Sequence, residues 1–414
     1  MADLMFRPYT LIKVTQQPQA TDATPRNNII EFNFCNQWSA NENWTDLTNK
    51  GKITIPKNVF ARNARTGRLY DVGDRREYIT NLFRRGDKVE ITTGYYKYNA
   101  NTGNESLETY VAFTGYISRV NSKIPVTLVL EDNMWLLKQI PCKPQVWPKN
   151  KPVEELMKGL LQGTGFTVNA TTETTAGDLI IQNESVAQLL SRLRKDFHLE
   201  AYFLGNELRI GSLIYIPPAV MPKQVPTFVF QQNIISDELS YSRKDDIKLS
   251  AVCESINTVS TGKYNKAGEE KTKQERLQVL VYAGTDGKFK YIKKKKDVDF
   301  PANEEGERRK LFYPNITDAA KLAKAGANEL AKYYYDGFKG KFTTFAIPSI
   351  KLGDYIYLRD NILPDRSGYY LVKSVERSGG IAGGRQVIEL AYKLVHNNTT
   401  KTLNLPDITP ELVP

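Results

Sequence analysis

One small pattern occurs twice in this chain, and that repetition limits the fold more than any other feature. In "LFRRGDKVEITTGYY", residues 82–96, Gly86-Asp87 is turn chemistry, and Val89 and Ile91 then alternate with Lys88, Glu90 and Thr92. That is the period-two pattern of a strand with one buried face. "FTGYISRV" (113–120) and "VTLVLED" (126–132) follow. The second copy reads "IKLGDYIYLRD" (350–360), in which Gly353-Asp354 precedes Ile356 and Leu358, then "SGYYLVKSVER" (367–377) and "QVIELAYKLV" (386–395). The shared order, a Gly-Asp strand, a Gly-Tyr strand and an alternating apolar strand, predicts one β unit present twice. It sets Gly86 and Asp87 beside Gly353 and Asp354, and Tyr116 beside Tyr369.

Arg85-Gly86-Asp87 is also the tripeptide by which many adhesion ligands reach integrins. Such a ligand needs a free loop tip, whereas here one flank is strand, so the turn reading is preferred.

With 414 residues the chain is long enough for two to four domains and has no need of disulfides. Cys35, Cys142 and Cys253 are far apart without metal spacing, which suits reduced thiols of a protein folded in cytoplasm. The N-terminal residues lack an export core, and no stretch approaches the roughly 18 apolar residues of a membrane span. A net charge of +11 invites a nucleic-acid reading, but no helix-turn-helix or aromatic RNA-binding signature accompanies it. The densest basic run, Lys293, Lys294, Lys295 and Lys296, reads as a solvated hairpin arm or a contact with an acidic subunit, with phosphate contact the alternative.

Along the chain, residues 1–146 form the first β region: Ile30, Phe32 and Phe34 alternate on one strand and Ile53 and Ile55 on another that stops at Pro56. Residues 97–109 read as the polar tip of a long hairpin. "PCKPQVWPKNKP" reads as a linker. An α+β module occupies 147–216. Its first helix carries Val153, Leu156, Met157 and Leu160, its second Val186, Leu189, Leu190 and Leu193, and a hairpin turns at Gly205-Asn206. The second β region spans 217–396. It includes an extended, mostly solvated hairpin insertion at 260–310 and a helix at 317–335, capped by Thr317-Asp318, on which Gly326 permits close packing. Residues 397–414 read as a polar tail outside any core.

Catalytic chemistry is hard to find. The two histidines, His198 and His396, are far apart and neither lies near a metal-ligand pattern. Nucleophile elbows and phosphate loops are absent, and "SGGIAGGRQ" (378–386) reads as a mobile hairpin tip rather than a phosphate cradle. Glu154-Glu155 and Glu304-Glu305 are adjacent pairs that do not converge on one substrate. No catalytic, cofactor or metal residue is named, and no enzyme is expected.

The succession "NWTDLTNKGKITIP", "FRRGDKVEI", "FTGYISRV", "LVLEDNMWLLK", "VEELMKGLLQGTG", "SVAQLLSRL", "AYFLGNELRIG", "LGDYIYL", "GYYLVKSVER" and "QVIELAYKL" resembles the hub proteins of phage tails and injection machines. These are the baseplate hub and late control protein D family and the N-terminal part of VgrG proteins. The resemblance covers residues 1–396. It implies a mainly β fold with α+β parts, two similar small β-barrel domains flanking the α+β module. It implies a homotrimer presenting a pseudo-sixfold ring, docked on a hexameric tail tube or distal tail protein and on a spike or tail-tip protein, with a channel for double-stranded DNA or cargo. The expected place is the virion tail, assembled in the bacterial cytoplasm without membrane insertion. No spike-like domain follows the second β region, so the spike is expected to be a separate protein, and the 397–414 tail is expected to dock on the next tail-tip component. The interface positions expected are Gly86, Asp87, Tyr116, Gly353, Asp354, Tyr369 and Lys293–Lys296. The alternatives are a tail-associated cell-wall hydrolase and a host-surface binding module.

Overall fold

The computed structural model describes the chain except for residues 1–3, 19–25, 57–58, 72–81, 149–150, 171–178, 198, 212–223, 265–269, 285, 297, 302–305, 314–315, 398–401, 405–408 and 414. His198, Glu304 and Glu305 therefore lie outside the described residues.

The first region contains β1 (Leu4–Thr15), β2 (Ile29–Phe32), β3 (Gln37–Asn43), β4 (Lys50–Ile55), β5 (Phe60–Asn63), β6 (Leu69–Asp71), β7 (Lys88–Asn99), β8 (Glu105–Asn121) and β9 (Val126–Glu131). Alternation drives them: β9 is VTLVLE with Val126, Leu128 and Leu130 buried, and β4 buries Ile53 and Ile55. The long hairpin is longer than the sequence suggested. Pairing of β7 with β8 continues to Tyr98 opposite Glu105, so the tip is only 100–104 and the polar residues 105–109 are strand. Phe34 departs from its expected row: β2 ends at Phe32, and Phe34 is 51% exposed.

Next come α1 (Met134–Leu137), β10 (Gln145–Trp147), α2 (Val153–Leu160), β11 (Thr167–Ala170), β12 (Leu179–Ile181), α3 (Val186–Phe197), β13 (Glu200–Leu204) and β14 (Glu207–Gly211). The two helices and the Gly205-Asn206 hairpin stand where the sequence put them. The proline-rich "linker" is different: Gln145–Trp147 pairs with β12, and Cys142 is buried in the same core as Met157, Leu190 and Ile210. Prolines there delimit a short strand, and Cys142 and Trp147 between them find a core while Val146 stays exposed.

The rest comprises β15 (Thr227–Val229), β16 (Ile234–Ser242), β17 (Leu249–Tyr264), β18 (Glu270–Ala283), β19 (Phe289–Lys293), β20 (Glu307–Phe312), α4 (Ala319–Ala331), β21 (Gly337–Phe345), β22 (Tyr355–Arg359), β23 (Gly368–Gly380), β24 (Arg385–Asn397), β25 (Thr402–Asn404) and β26 (Glu411–Leu412).

The molecule is mainly β with α+β parts, but the two expected barrels do not close. One 16-stranded sheet runs in the order β16-β21-β24-β23-β3-β4-β9-β8-β7-β1-β2-β5-β6, with β15, β22 and β25 paired off that path. The physical reason lies in β23. Its first half pairs with β22 (Leu371 opposite Tyr355), and its second half pairs with β3 of the other unit (Gly380 opposite Gln37 through Ser374 opposite Asn43). An edge that could have closed one unit joins the two instead.

The insertion is also more than a solvated hairpin. β20, β17, β18, β19 and β26 form a five-stranded sheet, and α4 lies on it. Asp318 caps the helix by accepting the Lys321 amide at 2.8 Å. A small-residue stripe, Ala323, Gly326 and Ala327, faces Ala251, Cys253, Val279 and Val281. A Cβ at Gly326 would fall 2.3 Å from Cys253 Sγ, so glycine sets the approach of helix to sheet.

The tail is not free of a core. Leu403 is 0% exposed, packed with Trp44, Tyr202, Leu352, Leu371 and Leu394, residues drawn from all three regions. Thr402–Asn404 pairs with β24, and Glu411–Leu412 pairs with β19. Leu403, an apolar residue within a polar sequence, supplies the first attachment, and main-chain pairing supplies the second.

Candidate functional site: the joint between the two repeated units

The two Gly-Asp turns are the same structure. Gly86 donates its amide to the Ile117 carbonyl at 2.8 Å and Ile117 donates back to Asp87 at 2.9 Å; Gly353 donates to Val372 at 3.1 Å and Val372 back to Asp354 at 2.8 Å. The Asp87 and Asp354 amides donate to Arg84 and Lys351, both at 3.1 Å. The glycines take φ of +94° and +79°, a left-handed region costly for other residues. This correspondence corrects one sequence pairing. Ile117 and Val372 being equivalent, Tyr116 matches Leu371, not Tyr369, an offset of two residues that leaves the period-two faces unchanged.

Asp87 faces the interior. It is 0% exposed and takes two hydrogen bonds from Arg26, Nη1 to Oδ1 and Nη2 to Oδ2, each 3.0 Å, besides the amides of Gln17 (3.0 Å) and Arg84 (2.8 Å). An adhesion ligand must offer that carboxylate to its receptor, and here it is enclosed, so the Arg85-Gly86-Asp87 adhesion reading fails on burial. Among the described residues Asp354 accepts only the Lys351 amide, at 2.8 Å, and burial pushes its carboxyl above the usual range. Tyr116 stacks on Trp135 (5.2 Å, 20° between planes), and Trp135 also lies under Gly86, 3.2 Å from where a Cβ would stand. Tyr369 packs against Tyr357 and His396 at 4.8 and 5.7 Å. The Gly-Asp turns and Tyr116 thus belong to the folded interior and its margin, while Lys293–Lys296 lie apart from them, exposed at the end of β19.

What joins the units is a residue the sequence did not single out. Arg377, 2% exposed on β23, donates Nη1 to Glu42 Oε2 on β3 at 2.8 Å and to the Ala112 carbonyl on β8 at 3.1 Å, and Nη2 to the Ile350 carbonyl. One guanidinium therefore ties the second unit to two strands of the first. Arginine can do this because its planar fork presents donors in fixed directions. The only sequence signal was an arginine at a buried-face position of an alternating strand. Nearby, Tyr95 donates its hydroxyl to the Gly384 carbonyl at 2.9 Å, and Ile381 its amide to Asn36 at 3.3 Å, so the Gly-rich tip is docked on the first unit and not loose.

Beside Arg377 opens a cleft of about 460 Å³, lined by Glu42, Asp132, Phe203, Asn206 and Lys351 among others, so all three regions contribute. Asp132 lies two residues before Met134 at the start of α1, its Oδ1 accepting the Met134 amide at 3.0 Å, while among the described residues its Oδ2 has no hydrogen-bond partner. Burial pushes this carboxyl up to about 7, against the opposing pull of the Met134 and Asn49 hydrogen bonds. The described residues contain no group of three or more His, Cys, Asp or Glu able to hold a metal, and no helix long and apolar enough to cross a membrane.

No protein-family model and no curated protein matches the chain. Solved structures do. A tail protein from Neisseria meningitidis MC58 superposes with a TM-score of 0.52 at 12% identity, over 97% of this chain and 99% of that one. The 43 kDa tail protein of prophage MuSo2 from Shewanella oneidensis gives 0.49 at 14% identity, over 92% and 97%. A component of the type VI secretion system of E. coli gives 0.44 at 10% identity, over 96% and 80%. Along nearly its whole length this chain shares the fold of the Neisseria tail protein, in keeping with the tail-hub resemblance of its sequence.

Proposed function

We propose that the chain is a structural hub at the tip of a phage tail or related injection machine. The observation that carries this reading is the bond-for-bond equivalence of the two Gly-Asp turns within one sheet. A chain that offers two near-equivalent β units, residues 1–146 and 217–396, about an α+β module lets three copies present six similar elements to a sixfold tube. In this reading the ring leaves a channel for DNA or cargo and meets a spike or tail-tip protein on its other side. Among the described residues the strand order of the sheet runs from β16 to β6, and such edges pair readily with a neighbour. Catalysis has no part in it. Light scattering of the purified chain, alone and with its tail-tube protein, tests the proposal: a trimer, or a monomer that trimerises on the tube, supports it, and a monomer indifferent to the tube removes its symmetry argument.

A cell-wall hydrolase has one observation in its favour: Glu42 and Asp132 line the same cleft, and Asp132 keeps its proton to near neutrality, the division of roles used by paired carboxylates. Against it, Asp132 is engaged with α1 and Glu42 with Arg377. A clearing band on a peptidoglycan zymogram would make the chain an enzyme.

A further inference from the structure

In the five-stranded insertion sheet the outer edge of β19 is covered by β26 over only part of its length. β26 runs parallel to it for two residue pairs, Glu411 opposite Lys290 and Leu412 opposite Tyr291, with one further bond from the Val413 amide to the Tyr291 carbonyl at 2.8 Å. The attachment is slight. Leu412 is 59% exposed, and the Lys288–Glu411 ion pair, 2.9 Å long, has both side chains more than half exposed, a geometry that contributes little to stability. Because the pairing is parallel, β26 points along β19 towards Lys293, and the exposed Lys294, Lys295 and Lys296 come next. Among the described residues Lys293, Lys295 and Lys296 make no ion pair, and Lys294 pairs with the exposed Asp299 at 3.2 Å and lies over the Phe300 ring.

We propose that the β19 edge together with Lys293–Lys296 is a receptor for an extended acidic segment of another protein, and that β26 fills its first positions in the isolated chain. Glu411 against Lys288 shows the chemistry wanted at the start: an acidic side chain set on a lysine, followed by an apolar residue. A longer strand in the same register would carry its further acidic residues to the lysines that β26 does not reach. Main-chain ladder bonds then give affinity and the lysines give selectivity, the usual division in strand addition.

The test uses a synthetic peptide, Thr-Pro-Glu-Leu-Val followed by Ser and three Glu, with fluorescence anisotropy as readout and a second peptide carrying Lys for every Glu. The chain truncated after residue 408, which keeps Leu403, should bind the acidic peptide, and the full chain should bind it about tenfold more weakly because β26 competes for the edge. Replacing Lys293–Lys296 with Ser should weaken binding by at least about tenfold and flatten its salt dependence. If truncation impairs folding, the full-length Glu411→Lys variant serves, and should bind more tightly than the wild type. Equal binding of both peptides, or none by either opened chain, overturns the proposal. So does binding of a short DNA duplex through the four lysines whether or not β26 is present, which would assign them to phosphate.

Discussion

Asp87 and Asp354 hold the same place in the two repeats, each accepting at 2.8 Å the amide three residues before it, yet among the described residues only Asp87 forms an ion pair with an arginine, Arg26. The turn needs the carboxylate oxygen, and Arg26 gives one copy a charge partner besides. The two sites should therefore respond differently to substitution.

Removing one partner of a buried ion pair strands the other, so Arg26→Met should cost about 3–5 kcal/mol. Asp354→Asn keeps an oxygen for the Lys351 amide and removes a carboxylate that burial disfavours, so it should change stability by less than about 1 kcal/mol at pH 7. Urea unfolding of both variants checks this; equal losses would refute the asymmetry.

Asp132 predicts a pH effect. Its folded carboxyl titrates at about 7 against an ordinary 3.8, so the folded state binds the extra proton. Stability from this group is fully present below pH 4, falls as pH rises towards 7, and is lost above it. Asp132→Asn, which can still accept the Met134 amide, should leave the protein more stable than the wild type at pH 8, by a few kcal/mol, and no more stable at pH 4. Melting curves across that range decide it, and a constant difference would mean that the carboxyl is not the cause.

Arg377 should tolerate no replacement. Lysine lacks the fork that reaches Glu42, Ala112 and Ile350 together, so Arg377→Lys should cost about 2–4 kcal/mol and Arg377→Ala somewhat more. Limited proteolysis is the complementary reading: cleavage should appear near 381–384, where the tip docks on the first unit, if the joint has opened.

Gly326→Ala places a methyl 2.3 Å from Cys253 Sγ and 3.2 Å from Val281, and should cost about 1–3 kcal/mol by overpacking. Cys253→Ala in the same chain makes room and should recover at least half of that loss, measured as a double-mutant cycle.

Truncation separates the two attachments of the C-terminal segment. A chain ending at 408 keeps Leu403 and should unfold at nearly the wild-type urea concentration. A chain ending at 401 loses that wholly buried leucine and should be less stable by about 2–4 kcal/mol. Identical midpoints for the two would show that Leu403 contributes nothing to the core.

Alternation and turn chemistry were enough to read the repeat, the strand β9, the helices α2 and α3 and the hairpin at Gly205-Asn206, because each is governed by neighbours a few residues away. The sequence by itself also determined that one left-handed Gly-Asp turn occurs twice, at Gly86-Asp87 and at Gly353-Asp354. Which edges meet was decided only in the tertiary structure. β23 leaves its own unit to pair with β3, Arg377 crosses to Glu42, Arg26 finds Asp87, and Leu403 returns to a core built from three regions. Each of these partners lies far away in the chain, and pattern period says which face of a strand is buried but not what buries it.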